Sequence, residues 1–132
     1  MSQQQQTIVI VEDTQANAST LEIALATFGQ VETLTDAESA WRLLQSRNEV
    51  CAVVTDLQMP GMDGFELIEK IRGDSRYDTL PIIVISGSTD PGAPARVIAL
   101  GASAFFSKPF SPAQVRAKLE QLLDGTPMSV PT

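Results

Sequence analysis

Four places in this 132-residue chain set a chemically useful side chain at the end of a short apolar run. Glu12 and Asp13 follow Ile8-Val9-Ile10-Val11, and Asp56 follows Val53-Val54-Thr55. Ser86 follows Ile82-Ile83-Val84-Ile85, and Lys108, just before Pro109, comes shortly after Ala104-Phe105-Phe106. Brought together, they would supply three carboxylates, a hydroxyl and an ammonium. Packed carboxylates repel one another, so such a site needs a cation to hold them ionised. Every candidate ligand is an oxygen, which favours a hard ion such as Mg²⁺, with Mn²⁺ as the substitute. Lys108 adds a point charge on a flexible stem, suited to a phosphoryl oxygen. A carboxylate, a metal and a lysine can perform in-line phosphoryl transfer, where positioning and charge neutralisation are most of the catalysis. Asp56 is the candidate nucleophile and would form an acyl phosphate.

The elements that must position these residues alternate along the chain. Thr7-Ile8-Val9-Ile10-Val11 is β-branched and apolar without polar alternation, as in a strand buried on both faces of a parallel sheet. Leu21, Ala24, Leu25 and Phe28 fall on one helical face, and Gly29 stops that helix. A second strand is expected near 30–34. Asp36 then caps a helix striped by Ala37, Ala40, Trp41 and Leu44. Cys51 to Thr55 is the third strand, and Leu67, Ile68 and Ile71 mark a helix ending near Gly73. Pro81 to Ile85 is the fourth strand, with Pro81 at its first position, where no ladder donor is required. Pro91, Gly92 and Pro94 crowd the start of the fourth helix, which is expected to be short, over 95–100. Ala104-Phe105-Phe106 is a brief fifth strand, and Ser111-Pro112 opens the last helix as N-cap and first residue. Residues 1–6 read as a disordered lead-in, 7–124 as one domain, and 125–132 as a tail or the start of a linker. Five βα units in a row predict an open α/β sheet with helices on both faces. Such sheets bind ligands beyond the carboxyl ends of their strands, where all the candidate residues fall.

The chain resembles the response-regulator receiver domains of two-component and phosphorelay signalling. The resemblance rests on Ile8-Val9-Ile10-Val11-Glu12-Asp13, on Val53 to Gly64 with Asp56 inside it, on Pro81 to Gly87, and on Gly101-Ala102 through Ser107-Lys108-Pro109-Phe110. It implies a flavodoxin-like, doubly wound (βα)5 sheet of strand order 2-1-3-4-5, with Asp56 phosphorylated. It implies Mg²⁺ held by Asp13, Asp56 and the backbone carbonyl of Gln58, with Glu12 reached mainly through water. Lys108 would contact the phosphoryl group, and the Lys108–Pro109 bond is expected to be cis. Ser86 would be the switch hydroxyl and Phe105 the switch aromatic, reshaping the face made by the fourth helix, fifth strand and fifth helix. Two positions depart from the commonest pattern: serine rather than threonine at 86, and phenylalanine rather than tyrosine at 105. Gln58 and Ser88 lie where the family tunes the lifetime of its acyl phosphate.

Taken singly, each residue has a plainer reading. Asp13 could cap the first helix, Glu12 could be a solvated loop acid, and Asp56 or Ser86 a turn residue. Lys108 could be an ordinary exposed lysine, and Phe105 simply core. Trp41 reads as packing. Cys51, the single cysteine, reads as a small buried thiol.

Composition narrows the remaining possibilities. A net charge of −7 argues against nucleic-acid binding. There is no histidine, which removes Ser-His-Asp and Cys-His catalysis. The same absence means that a phosphohistidine donor must be a separate histidine kinase or phosphotransfer protein. No apolar stretch is long enough to span a membrane, and a cytoplasmic location is expected. An aspartyl-phosphate phosphatase would want a second acid two positions after its nucleophile, where Gln58 stands. A flavin binder would want a Ser/Thr/Gly-rich loop where Glu12-Asp13 stand. The expectation is therefore a phosphoacceptor, not a turnover enzyme on an external substrate. It is read as a stand-alone regulator, monomeric or weakly dimeric, with a receiver fragment of a longer regulator or hybrid kinase as the alternative. Its downstream target is unknown.

Overall fold

The computed structural model describes residues 6–47, 49–58, 61–87 and 90–124. The strands are β1 (Thr7–Val11), β2 (Gln30–Leu34), β3 (Val50–Thr55), β4 (Ile82–Ser86) and β5 (Ala104–Ser107). The helices are α1 (Gln15–Leu25), α2 (Ala37–Ser46), α3 (Gly64–Arg72), α4 (Ala93–Leu100) and α5 (Pro112–Asp124). All strand pairings are parallel, in the order β2-β1-β3-β4-β5. Alternating side chains divide the core in two. Val9, Val11, Val53, Ile82 and Val84 pack with Leu44, Leu67, Ile68 and Val97 under α2, α3 and α4. Ile8, Ile10, Val54, Ile83 and Ile85 pack with Leu21, Leu25, Val115 and Leu119 under α1 and α5. The unbroken apolar run in β1 follows from this arrangement, because both of its faces are buried.

Several boundaries differ from the sequence reading for local reasons. The α1 stripe reaches Phe28, but the regular helix ends at Leu25 and Ala26–Phe28 form a 3₁₀ turn before Gly29 at φ 148°. Pro81 lies just outside β4, contributing its carbonyl to Val53 N at 2.9 Å, while Ser86 closes the strand. Helix α4 begins two residues early, because Pro94 sits within its first turn, where an N–H has no intrahelical partner to lose. A 3₁₀ turn at Ser75–Tyr77, which the periodicity does not signal, joins α3 to β4. The capping expectations for Asp36 and Ser111 match the geometry: Asp36 accepts from Ser39 N at 2.7 Å, and Ser111 Oγ accepts from Gln114 N at 3.2 Å. Of the expected lead-in, only Gln6 is described, and its carbonyl accepts from Gln30 N at 2.9 Å. The expected tail over 125–132 lies outside the described residues.

Candidate functional site

Parallel strands all present their carboxyl ends to one edge, and the register aligns three of them there. Val11 pairs with both Leu34 and Thr55, so the residues after β1 and β3 emerge side by side. Asp56 N donates to Val11 O at 3.0 Å, and Glu12 N donates to Leu34 O at 2.9 Å. On the other side, Lys108 N donates to Ser86 O at 2.9 Å, extending the β4–β5 ladder into the loop that carries the lysine.

Asp56 is 5% exposed and Glu12 2% exposed, so neither is a solvated surface acid. Leu57 N and Gln58 N donate to Asp56 Oδ1 at 2.6 and 3.3 Å. Lys108 Nζ lies 2.7 Å from Asp56 Oδ2 and 3.2 Å from Glu12 Oε1. Glu12 Oε2 also accepts from Thr14 N at 3.1 Å. Burial works against the Lys108 charge, but the hydrogen bond and charge of Asp56 and the charge of Glu12 outweigh it. Its pKa therefore lies above the usual lysine value. Lys108 is thus not an ordinary surface lysine.

The carboxylates of Glu12, Asp13 and Asp56 each offer an oxygen within 4.8 Å of the others. Asp13 is exposed at the rim and has no hydrogen-bond or ion-pair partner among the described residues. It does not cap α1, whose N-cap is Thr14. Three formal negative charges face one ammonium, and all the donors are hard oxygens. That chemistry fits a divalent cation of the Mg²⁺ type.

The remaining expected residues surround this cluster. Ser86 is fully buried at the end of β4. Gln58 is exposed two residues beyond Asp56. Phe105 is half-buried on β5 and packs against the core under α4. The Lys108–Pro109 bond is cis. Ser88 lies outside the described residues.

One positioning residue escaped the sequence reading. A Cβ on Gly64 would run into the carbonyl oxygen of Asp56 and approach Leu57 Cα to 2.8 Å. Gly64 N also donates to Leu57 O at 3.0 Å, pinning the loop after Asp56 to the first turn of α3. The Asp63 cap with Glu66 three residues later was the available signal, since it fixes Gly64 as the first helical residue.

At the opposite edge of the sheet a cavity of about 390 Å³ is lined by Arg47, Cys51, Arg76 and Tyr77, among others. Arg47 is engaged by Glu32 and Glu49 and Arg76 by Asp74, so this cavity presents no unpaired guanidinium. Burial pushes the Cys51 thiol up, and the thiol is half-buried rather than enclosed in the core.

An open parallel sheet with acids behind its first and third strands, and a lysine behind its fifth reaching both, defines an α/β protein with an acidic, lysine-paired site at its carboxyl edge. Comparison with known proteins places it further. The chain belongs to the response regulator receiver domain family, whose family model matches residues 8–120. It is 33% identical over 122 residues to the chemotaxis protein CheY homolog of Campylobacter jejuni, covering 88% of this chain and 91% of that one. Among solved structures it is similar to the signal receiver domain of a signal transduction histidine kinase from Syntrophus aciditrophicus. The TM-score is 0.82 at 28% identity, covering 96% of this chain and 98% of that one. It is also similar to the chemotaxis response regulator CheY4 of Vibrio cholerae, with a TM-score of 0.79 at 27% identity, covering 90% and 99%. The family is one of two-component signalling proteins, not of enzymes turning over an external substrate. Among the described residues, no helix is long and apolar enough to cross a membrane.

Proposed function

We propose that Asp56 is the phosphoacceptor of a two-component or phosphorelay pathway, loaded from the phosphohistidine of a histidine kinase or histidine phosphotransfer protein. The observation that carries this reading is the convergence of three carboxylates within 4.8 Å, with Lys108 2.7 Å from Asp56. An Asp56 carboxylate oxygen attacks phosphorus in line with the bond to the donor nitrogen. The new O–P bond forms as the N–P bond breaks, and the released imidazole keeps the electron pair. Asp13, Asp56 and the Gln58 carbonyl would hold Mg²⁺ (or Mn²⁺), with Glu12 reached through water. When bound, the ion neutralises charge on the phosphoryl oxygens.

Lys108 already pairs with Asp56 and can follow the charge outward onto the transferred group, since its stem is flexible. The Leu57 and Gln58 N–H groups hold the Asp56 carboxylate in one orientation. The Ser86 hydroxyl would answer the new phosphoryl oxygens, and Phe105 would respond by repacking on β5. The output is then a changed α4–β5–α5 face that alters protein–protein contacts. The test is transfer from a phosphorylated histidine donor with Mg²⁺, repeated with a chelator in excess. Transfer should stop on chelation; an undiminished rate without divalent metal would refute the ligand assignment.

A further inference from the structure

The peptide unit that joins Asp56 to Leu57 is held at both ends, and what holds it bears on the nucleophile. Its N–H, on Leu57, donates to Asp56 Oδ1 at 2.6 Å. Its carbonyl oxygen, on Asp56, accepts from Thr55 Oγ1 at 2.8 Å. A peptide unit is planar, so the two ends turn together, and fixing the oxygen fixes the direction of the N–H. The Thr55 hydroxyl therefore acts on the Asp56 carboxylate through one rigid plane.

Both partners in the Thr55 contact are shut away from water. Thr55 closes β3, whose other residues, Val50-Cys51-Ala52-Val53-Val54, are all apolar, and it is 1% exposed. It pairs with Val11 of β1 and Val84 of β4, so a strand lies on either side. A buried hydroxyl without a partner is costly, and valine suits such a strand position at least as well. The acceptor is equally constrained. Asp56 N still belongs to the ladder, donating to Val11 O at 3.0 Å, but no backbone N–H among the described residues donates to Asp56 O. Gly64 packs so closely over that oxygen that a Cβ would collide with it. A buried carbonyl left without a donor costs as much as a lost hydrogen bond, and Thr55 Oγ1 removes that cost.

We propose that Thr55 is a positioning residue for phosphoryl transfer: by holding the Asp56 carbonyl, its hydroxyl aims the Leu57 N–H at Oδ1 and keeps the nucleophile in one orientation. Lys108 Nζ sits 2.7 Å from Oδ2, so both carboxylate oxygens are fixed before a phosphodonor arrives. Fixing the attacking group in advance removes rotational freedom that the transition state must otherwise lose. Without the hydroxyl the plane turns, the Leu57 bond weakens, and the carboxylate samples orientations unsuited to in-line attack. The proposal rests on reading Asp56 as the phosphoacceptor and names a residue that positions it.

Valine and serine separate this role from a structural one. Thr55→Val keeps the branched shape and loses the hydroxyl, whereas Thr55→Ser keeps the hydroxyl and loses a buried methyl. Each full-length variant is compared with the wild type in two measurements. One is the initial rate of labelling by acetyl phosphate with Mg²⁺, read by intact mass. The other is amide hydrogen exchange at Leu57 without a phosphodonor. Thr55→Val should label about tenfold more slowly, the scale of one hydrogen bond, and lose Leu57 protection by a similar factor. Thr55→Ser should recover both. A purely structural Thr55 would instead make both readouts follow stability in urea, with serine the worse of the two. Wild-type labelling by Thr55→Val, unchanged Leu57 protection in it, or a Thr55→Ser as slow as Thr55→Val would overturn the proposal. If the wild type takes no label while Leu57 protection still follows the hydroxyl, the phosphoacceptor reading alone fails. If the wild type is labelled and Thr55→Val matches it, the Thr55 role alone fails.

Discussion

Replacing Lys108 by methionine keeps most of the stem and removes the charge, leaving Glu12 and Asp56 buried together without a counter-ion. Unit charges 2.7 Å apart attract by roughly 6 kcal/mol at an effective dielectric constant of about 20, most of which desolvation offsets. Breaking a buried pair by removing one partner costs about 3–5 kcal/mol, and the Lys108 side chain is 20% exposed, so the lower figure applies. A loss of about 3 kcal/mol corresponds to a fall of roughly 10 °C in Tm for a domain of this size. Millimolar Mg²⁺ should stabilise the variant more than the wild type, because it replaces the missing charge. Thermal melts at neutral pH, with and without Mg²⁺, measure both effects. A Tm difference that is absent at neutral pH, or that Mg²⁺ leaves unchanged, would refute the electrostatic account of the pocket.

Other perturbations probe the scaffold. Gly64→Ala forces a methyl against the Asp56 carbonyl and should cost about 1–3 kcal/mol in urea unfolding while slowing phosphoryl transfer. Unchanged values in both would mean the loop yields freely. Arg72 donates to the carbonyls of Gly101, Tyr77 and Leu80 at 2.9, 2.6 and 2.7 Å, so Arg72→Met should cost about 2–4 kcal/mol in the same assay. Asp36→Ala removes the α2 cap and should cost about 1 kcal/mol at neutral pH. The Ser39 backbone N–H holds the Asp36 carboxyl below its ordinary pKa. Its contribution is therefore full above the unfolded pKa and is lost as pH falls through the folded one. The difference between Asp36→Ala and wild type should accordingly shrink in acid; a constant difference would point away from the cap.

The sequence was informative wherever one physical rule dominated. Burial on both faces forces unbroken apolar runs, so β1, β3 and β4 could be read directly, and parallel strands deliver their following residues to a single edge. That is why Glu12, Asp56 and Lys108 were nameable before any geometry, and why their convergence is seen here. What stayed hidden depends on contacts distant in sequence. Arg72 reads as the exposed end of a helix, yet it ties α3 to the Gly101 turn 29 residues away. Gly64 reads as one more turn glycine, until the Asp56 carbonyl is found where its side chain would be. Pro94 suggested a delayed α4 because a proline in mid-helix breaks it, but in the first turn it does not.

The site of phosphoryl attachment tests the central claim most directly. Wild type and Asp56→Asn would each be incubated with an acyl phosphate and Mg²⁺, and intact mass and peptide mapping would locate the adduct. The wild type should gain one base-labile phosphoryl group on the peptide containing Asp56, and the variant none. Equal labelling of Asp56→Asn, or a wild-type adduct mapped to another residue, would contradict the account.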